Sequence, residues 1–478
     1  MGWTGGLDGG SRPEAVGWTH LSLVLMADAV PLDHPDFDFV RAAGGIEEYR
    51  HRRNGLAVLL APEAAAPVAA FQVTYRVGSR NEGAGLTGAT HLLEHLMFKG
   101  SERFNRDLGT SVFQTLQSVG GQINATTWYD RTNYFAVLPS EHLERAIEIE
   151  ADRMRGARVR DEDLASERTV VLNELDRGEN DAIRKLLHNV YAAAYHAHPY
   201  GHPVIGWRSD VETVTADGLR HFYDTYYWPK NATATVAGWF DRREALDRIE
   251  AHFGAIPAGP GGAPDAPEPL VHRGDDAVTR EPEQHGERRI VMRKAGELGA
   301  VLLAYKAPAG LDPDADALDV LTQALSHGKS ARLYRRLTDR SLSTSASAFF
   351  PRLRDPGLFV AYALLAPDVT HETAEAEIRD VLAEVARDGL TDGELARAKQ
   401  QVVADEAYER DGPMSVVSQI NEAVAVGDWT LFATYRDRIQ AVTLEDVQRA
   451  ARRVVRDDRL TVGWYVPTAD APGGDGQA

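Results

Sequence analysis

The chain predicts an α+β fold of two homologous domains, each a mostly antiparallel sheet covered by helices. Three observations point there. Apolar residues alternate at Phe71, Val73, Tyr75 and Val77, and again at Val301, Leu303 and Tyr305, as in strands, and a helical pattern follows each run. Residues 256–287 are crowded with Pro, Gly, Asp and Glu and read as a linker between the two stretches. The stretches also repeat one another in order.

Taken along the chain, residues 1–43 form an N-terminal extension whose first dozen are small and polar and expected to be disordered. The first domain occupies 44–255. Its opening strand leads to a helix, and residues 161–171 echo residues 392–402 of the second domain. Val214-Thr215 precedes a helix, as Val442-Thr443 does later, and a Thr-Val strand follows in each case, near Gly238 and at Gly463. The second domain occupies 288–468, with an apolar helix from Ala317 to Leu325. Gly389 ends one of its helices, and Thr391 with Glu394 has the spacing of a capping box for the next. A polar tail at 469–478 is expected to be disordered.

A formal charge of −19 argues against nucleic acid as a partner and favours basic substrates. No apolar run is long enough to span a bilayer. The apolar stretch from Leu21 to Val30 lacks the preceding basic cluster of a signal peptide, so a cytoplasmic protein is expected. With no Cys, any metal must be held by His and carboxylate, the donor set of catalytic rather than structural zinc sites.

His91-Leu92-Leu93-Glu94-His95 offers such donors. Each helical residue turns the chain by about 100°, so His91 and His95 share a face and Glu94 lies about 60° to one side of His91. This is the inverted HxxEH order, which supports metal-assisted hydrolysis. With 16 His in the chain, a chance match is expected on the order of a few hundredths of a time. A third ligand belongs on a neighbouring helix. Glu167 and Glu174, seven residues apart on one face, are candidates, although periodicity alone makes them ordinary exposed charges. The second domain lacks the His pair and carries Ala398 where the first has Glu167. His196, His198 and His202 surround a Pro-Tyr-Gly turn, and shaping that turn is their simpler reading.

The motif followed by Glu167 and Glu174 resembles the M16 family of zinc metallopeptidases (the pitrilysin, insulinase and mitochondrial processing peptidase type), in its short two-domain bacterial form. Residues 120–134, His198 through Gly206 and Tyr227 through Gly238 fit as well, so the likeness runs from about residue 44 to 467. The resemblance implies half of a clamshell chamber. It also implies Zn2+ held by His91, His95 and Glu174, with Glu94 as general base and Glu167 as a supporting carboxylate that orients a His or holds the ligand helix. Asn124 and Ala125 would pair with the substrate backbone from an edge strand. One departure stands out. Members that complete their own site carry an Arg and a Tyr seven residues apart after a Ser-Arg-Leu segment. Here Leu337 or Thr338 stands at the Arg position and Thr344 at the Tyr position, while Arg332 and Tyr334 belong to the preceding helix. The expectation is a zinc endopeptidase acting as the catalytic subunit of a heterodimer, with a paralogous partner supplying Arg and Tyr. A homodimer gripping with Arg332 or Arg336 and Tyr334, and a non-catalytic scaffold of the same fold, are the alternatives.

Overall fold

A computed structural model describes residues 30–179, 181–260 and 278–468. The expected N-terminal disorder, the Leu21–Ala29 part of the apolar stretch, the middle of the linker and the C-terminal tail therefore lie outside the described residues. The first sheet has seven strands: β1 (Phe37–Ala43), β2 (Ile46–His51), β3 (Ala57–Pro62), β4 (Val68–Tyr75), β5 (Gln122–Thr127), β6 (Thr132–Pro139) and β7 (Ala232–Gly238). Their order is β1-β2-β3-β7-β4-β6-β5, with only the β3/β7 pair parallel. The sheet thus begins at Phe37, seven residues before the boundary expected at Gly44. Most of β1 is exposed, so no burial pattern marks it in the sequence.

The second sheet has five strands: β8 (Arg288–Ala295), β9 (Ala300–Lys306), β10 (Ser343–Phe349), β11 (Leu358–Leu365) and β12 (Leu460–Thr468). Their order is β10-β11-β9-β12-β8, again with one parallel pair, β12/β8. Both sheets are therefore mostly antiparallel and helix-covered, as the sequence predicts. The capping box expected at Thr391 and Glu394 is present, and Thr215 and Thr443, which the sequence only placed before helices, cap them as well. Thr215 accepts from the Gly218 amide, Thr443 from Asp446, and Thr391 and Glu394 exchange bonds across the start of the helix Asp392–Glu409.

Alternation in β4 does not leave a wet face. Phe71, Val73 and Tyr75 enter the core of the first half, yet Gln72 and Thr74 on the opposite side are also fully buried. What covers them is the helix Pro413–Val426, from the other half, whose Val417 and Ile420 pack on Leu59, Ala70 and Ala237. The reverse holds for the second sheet, where Leu186 and Val190 of the helix Ala182–Ala194 pack on Ala300, Leu302 and Ala304. Each half lends a helix to the outer face of the other. Two glycines admit these helices. A Cβ on Gly463 would lie 2.4 Å from Val190 Cγ2, and one on Gly238 would lie 2.8 Å from Pro413 Cγ. Both distances are below the van der Waals contact that close packing requires.

Candidate metal centre

The motif sits on the short helix Ala89–Leu96. Leu92, Leu93 and Leu96 anchor one side in the core, which turns the two imidazoles outward together. Its start needs help, because the first amides of a helix have no intrahelical acceptor. Gly88 takes a left-handed φ of 85°, and the Glu82 carboxylate accepts from the Gly88 and Thr90 amides at 2.8 and 2.7 Å. Burial raises the Glu82 carboxyl to about 8, against the pull of those bonds. The sequence reading did not single out Glu82, since nothing local marks a carboxylate six residues upstream as a cap.

The helix Asp161–Glu179 crosses beside it, seated by Leu164, Val171 and Leu175. This brings one ligand-capable atom from each of His91, His95 and Glu174 within 4.8 Å of one another. Among the described residues no other three-group cluster could hold a metal ion. The imidazoles stand edge to face, centroids 4.8 Å apart, with His91 Nε2 3.7 Å from Glu174 Oε2. Burial first, and His95 second, lower His91 to about 4, so it is neutral and offers a lone pair at ordinary pH. Glu167 lies beneath rather than in the cluster. Its Oε2 is 3.0 Å from His95 Nδ1, which leaves Nε2 of His95 free as a ligand atom. Burial would raise Glu167, but bonds and charge from Lys99 and His95 hold it below the ordinary carboxylate range. Lys99 escaped notice, though it follows His95 by one helical turn.

Glu94 flanks the cluster. Burial is the largest influence on it and raises its carboxyl, tempered by a hydrogen bond from Thr127 and the charges of His95 and Arg131. Thr127 ends β5, the edge strand of the first sheet. On that strand Asn124 is exposed and Ala125 buried, and the Asn124 side chain accepts from the Ala125 amide at 2.9 Å. A cavity of about 710 Å³ opens here, lined by Glu94, His95, Asn124, Lys99 and the stacked pair Phe98 and Phe113. Two imidazoles and a carboxylate, with a second carboxylate alongside at Glu94, are the groups a catalytic zinc site uses, so the residues present fit that ion.

Other sequence candidates sit elsewhere. His198 caps the Pro199–Gly201 turn through Nδ1 and meets Asp355 through Nε2 at 3.0 Å, as a turn-shaping residue would. Arg332 forks onto Glu394, and Tyr334 opens a π-helical turn at Tyr334–Thr338. Thr344 lies on β10, at the edge of the second sheet.

Comparison with known proteins settles the ancestry of this arrangement. Residues 57–207 match the family model for insulinase-type M16 peptidases, and residues 213–402 match the model for the M16 inactive domain. The zinc protease PqqE of Helicobacter pylori is 30% identical over 424 residues, covering 87% of this chain and 91% of that one. The chain belongs to the M16 peptidase family. A zinc protease of Streptomyces coelicolor is also 30% identical, over 81% of this M16 chain and 82% of its own. Among solved structures, a protease from Helicobacter pylori superposes with a TM-score of 0.80 at 28% identity, covering 88% of this chain and 99% of that one. No helix of the described residues is long and apolar enough to cross a membrane.

Proposed function

We propose that this chain is a zinc-dependent endopeptidase that cuts peptides or unfolded segments inside a closed chamber, as the catalytic subunit of a heterodimer. The convergence of His91, His95 and Glu174 within 4.8 Å, with Glu94 alongside, is the observation that carries this reading. In it, the first half, whose sheet begins at Phe37, is the metal-bearing domain, and residues 288–468 are its metal-free copy. The names of the relatives support zinc as the ion.

His91, His95 and Glu174 would hold Zn2+, which supplies Lewis acidity toward the scissile carbonyl and toward water. Glu94 takes the proton from the attacking water and passes it to the leaving amine. Thr127 holds the Glu94 carboxylate in place. Glu167 fixes the ring of His95. The exposed edge of β5, at Asn124 and Ala125, receives an extended substrate backbone.

Two features support a paralogous partner over two identical chains. Arg332 is committed to Glu394 and the Gly389 carbonyl, and Arg336 to Glu377 and Glu384, all within the second half. The partner would bring the gripping Arg and Tyr. Cytoplasmic action belongs to the same reading, and cell fractionation tests it.

The deciding experiment is Glu94→Gln. The variant should bind one zinc per chain and lose activity on unstructured peptides by about 10²–10⁴-fold, the usual contribution of a general base. Hydrolysis that survives the change removes Glu94 from its role. Assay of the parent chain alone and with its paralogue tests the partner, since full activity without one sinks the heterodimer.

A further inference from the structure

The turn joining β5 to β6 is tied to the second half from two sides. It closes with the Trp128 amide on the Arg131 carbonyl at 2.9 Å. Asp130, buried, accepts from the Arg354 amide at 3.0 Å and from the Tyr200 hydroxyl at 2.6 Å. Arg131, next to it, lays its guanidinium across the boundary between the halves. Its Nε and Nη2 donate to Glu422 Oε1 at 3.1 and 2.6 Å, on the helix that the second half lends to the first. Its Nη1 donates backwards to the Thr126 carbonyl at 3.1 Å, the Thr126 hydroxyl at 2.6 Å and Asn133 Oδ1 at 3.2 Å. The planar fork of Arg makes such two-sided binding possible, and Lys cannot copy it.

Behind this pair lies a buried polar net. Asn133 donates to Gln72, Gln72 to the Val417 carbonyl, and Thr74 to Asn421, at 3.0, 3.0 and 2.7 Å. Every link except those within the first sheet ends on the helix Pro413–Val426. In the other direction the chain of contacts is short. Thr126 precedes Thr127, and Thr127 donates to Glu94. A side chain on the second half, Glu422, is thus one arginine and two strand residues away from the carboxylate beside the candidate cluster.

We infer that Arg131 is a positioning residue through which Glu422 of the second half sets β5 and, through Thr127, the Glu94 carboxylate. The metal-free half then orients the groups that receive the substrate as well as enclosing it. Glu422 is half exposed and Arg131 nearly buried. The inference rests on the peptidase reading for its catalytic consequence, and on geometry alone for the hold on β5.

Two variants of the full zinc-loaded chain test it, Arg131→Lys and Glu422→Gln, with the paralogous partner present. Each should lower kcat by about tenfold while KM moves little, because a small misplacement of a reacting group costs far more than its contact is worth. Zinc content and melting temperature should stay at parental values. Backbone hydrogen exchange of residues 122–133 should speed up by about tenfold, a local loosening rather than global unfolding. Unchanged exchange in that segment overturns the inference, whatever the activity. A loss of kcat that follows only falling zinc content or stability overturns it as well. If the zinc-loaded parent cuts no peptide, the peptidase reading fails, and the exchange experiment still decides whether Glu422 holds β5.

Discussion

The helix Ala89–Leu96 of the first half and the helix Ala315–Ser326 of the second both follow a central strand and both pack on their own sheet. In the first, His91 and His95 meet Glu174 of the helix Asp161–Glu179, and His95 lines the neighbouring cavity. In the second, Leu321 and Leu325 stand four residues apart in the same way but point into a closed core. Acidic residues on the second helix, Asp316 and Asp319, are committed to Arg352. Glu167 has Ala398 as its counterpart, itself buried in apolar company. The difference teaches that the shared architecture does not make the metal site. The candidate cluster comes from three side chains on two neighbouring helices, His91, His95 and Glu174, and the copy lacking them keeps its fold by filling the place with hydrocarbon.

The sharpest way to break this comparison is to remove a donor from the first half. Glu174→Gln should abolish stoichiometric zinc and, with it, all peptide hydrolysis, because Zn2+ needs three protein donors of this kind. Metal analysis of the purified variant checks it, and a full complement of zinc would reassign the third ligand. Glu167→Gln is a milder cut. Zinc affinity should fall by about 10–100-fold, the usual effect of losing a carboxylate that orients a ligand His. Competition with a chelator measures it.

The second half should respond in a different currency. Leu321→Ala empties a fully enclosed site and should cost about 2–5 kcal/mol of stability, leaving the zinc content of the folded protein unchanged. Denaturant melts with parallel metal analysis separate the two readouts. A variant that lost its zinc while folded would show the halves to be less independent than drawn here.

The smallest effect belongs to the boundary between halves. Burial would raise the Asp355 carboxyl, but hydrogen bonds from His198 and Arg80 and their charges bring it down to about 2. A carboxyl lower in the folded than in the unfolded chain stabilises above the unfolded value, near 3.9, and that stabilisation disappears as pH falls toward 2. Asp355 is partly open to water, which screens the pair, so the contribution is about 1 kcal/mol. Asp355→Asn should flatten the stability profile between about pH 4 and 2, and equal slopes for variant and parent would remove the pair from the account.

Much of this was legible without coordinates. The HxxEH spacing places two imidazoles on one helical face whatever surrounds them, because helix geometry is local. Strand alternation at β4 and β9 and the capping box at Thr391 and Glu394 are local in the same sense. Glu174 was legible only by likeness to a family, since an exposed carboxylate on a helix carries no signature of its own. Thr127, Lys99 and Glu82 were not legible, although they complete the surroundings of the motif. Thr127 meets Glu94 across 33 residues of chain and Glu82 caps a helix from outside it. Such contacts depend on where separate elements come to rest.

The sequence by itself determined the two-domain plan and the helix that presents the histidines, both of which follow from residue type and short-range periodicity. Tertiary structure alone decided that each half covers the back of the other's sheet, which buries Gln72 and Thr74 and brings Glu422 to Arg131. No rule of spacing could reach that, because buried polar groups need partners, and Gln72 and Thr74 find theirs in part at Val417 and Asn421, hundreds of residues away.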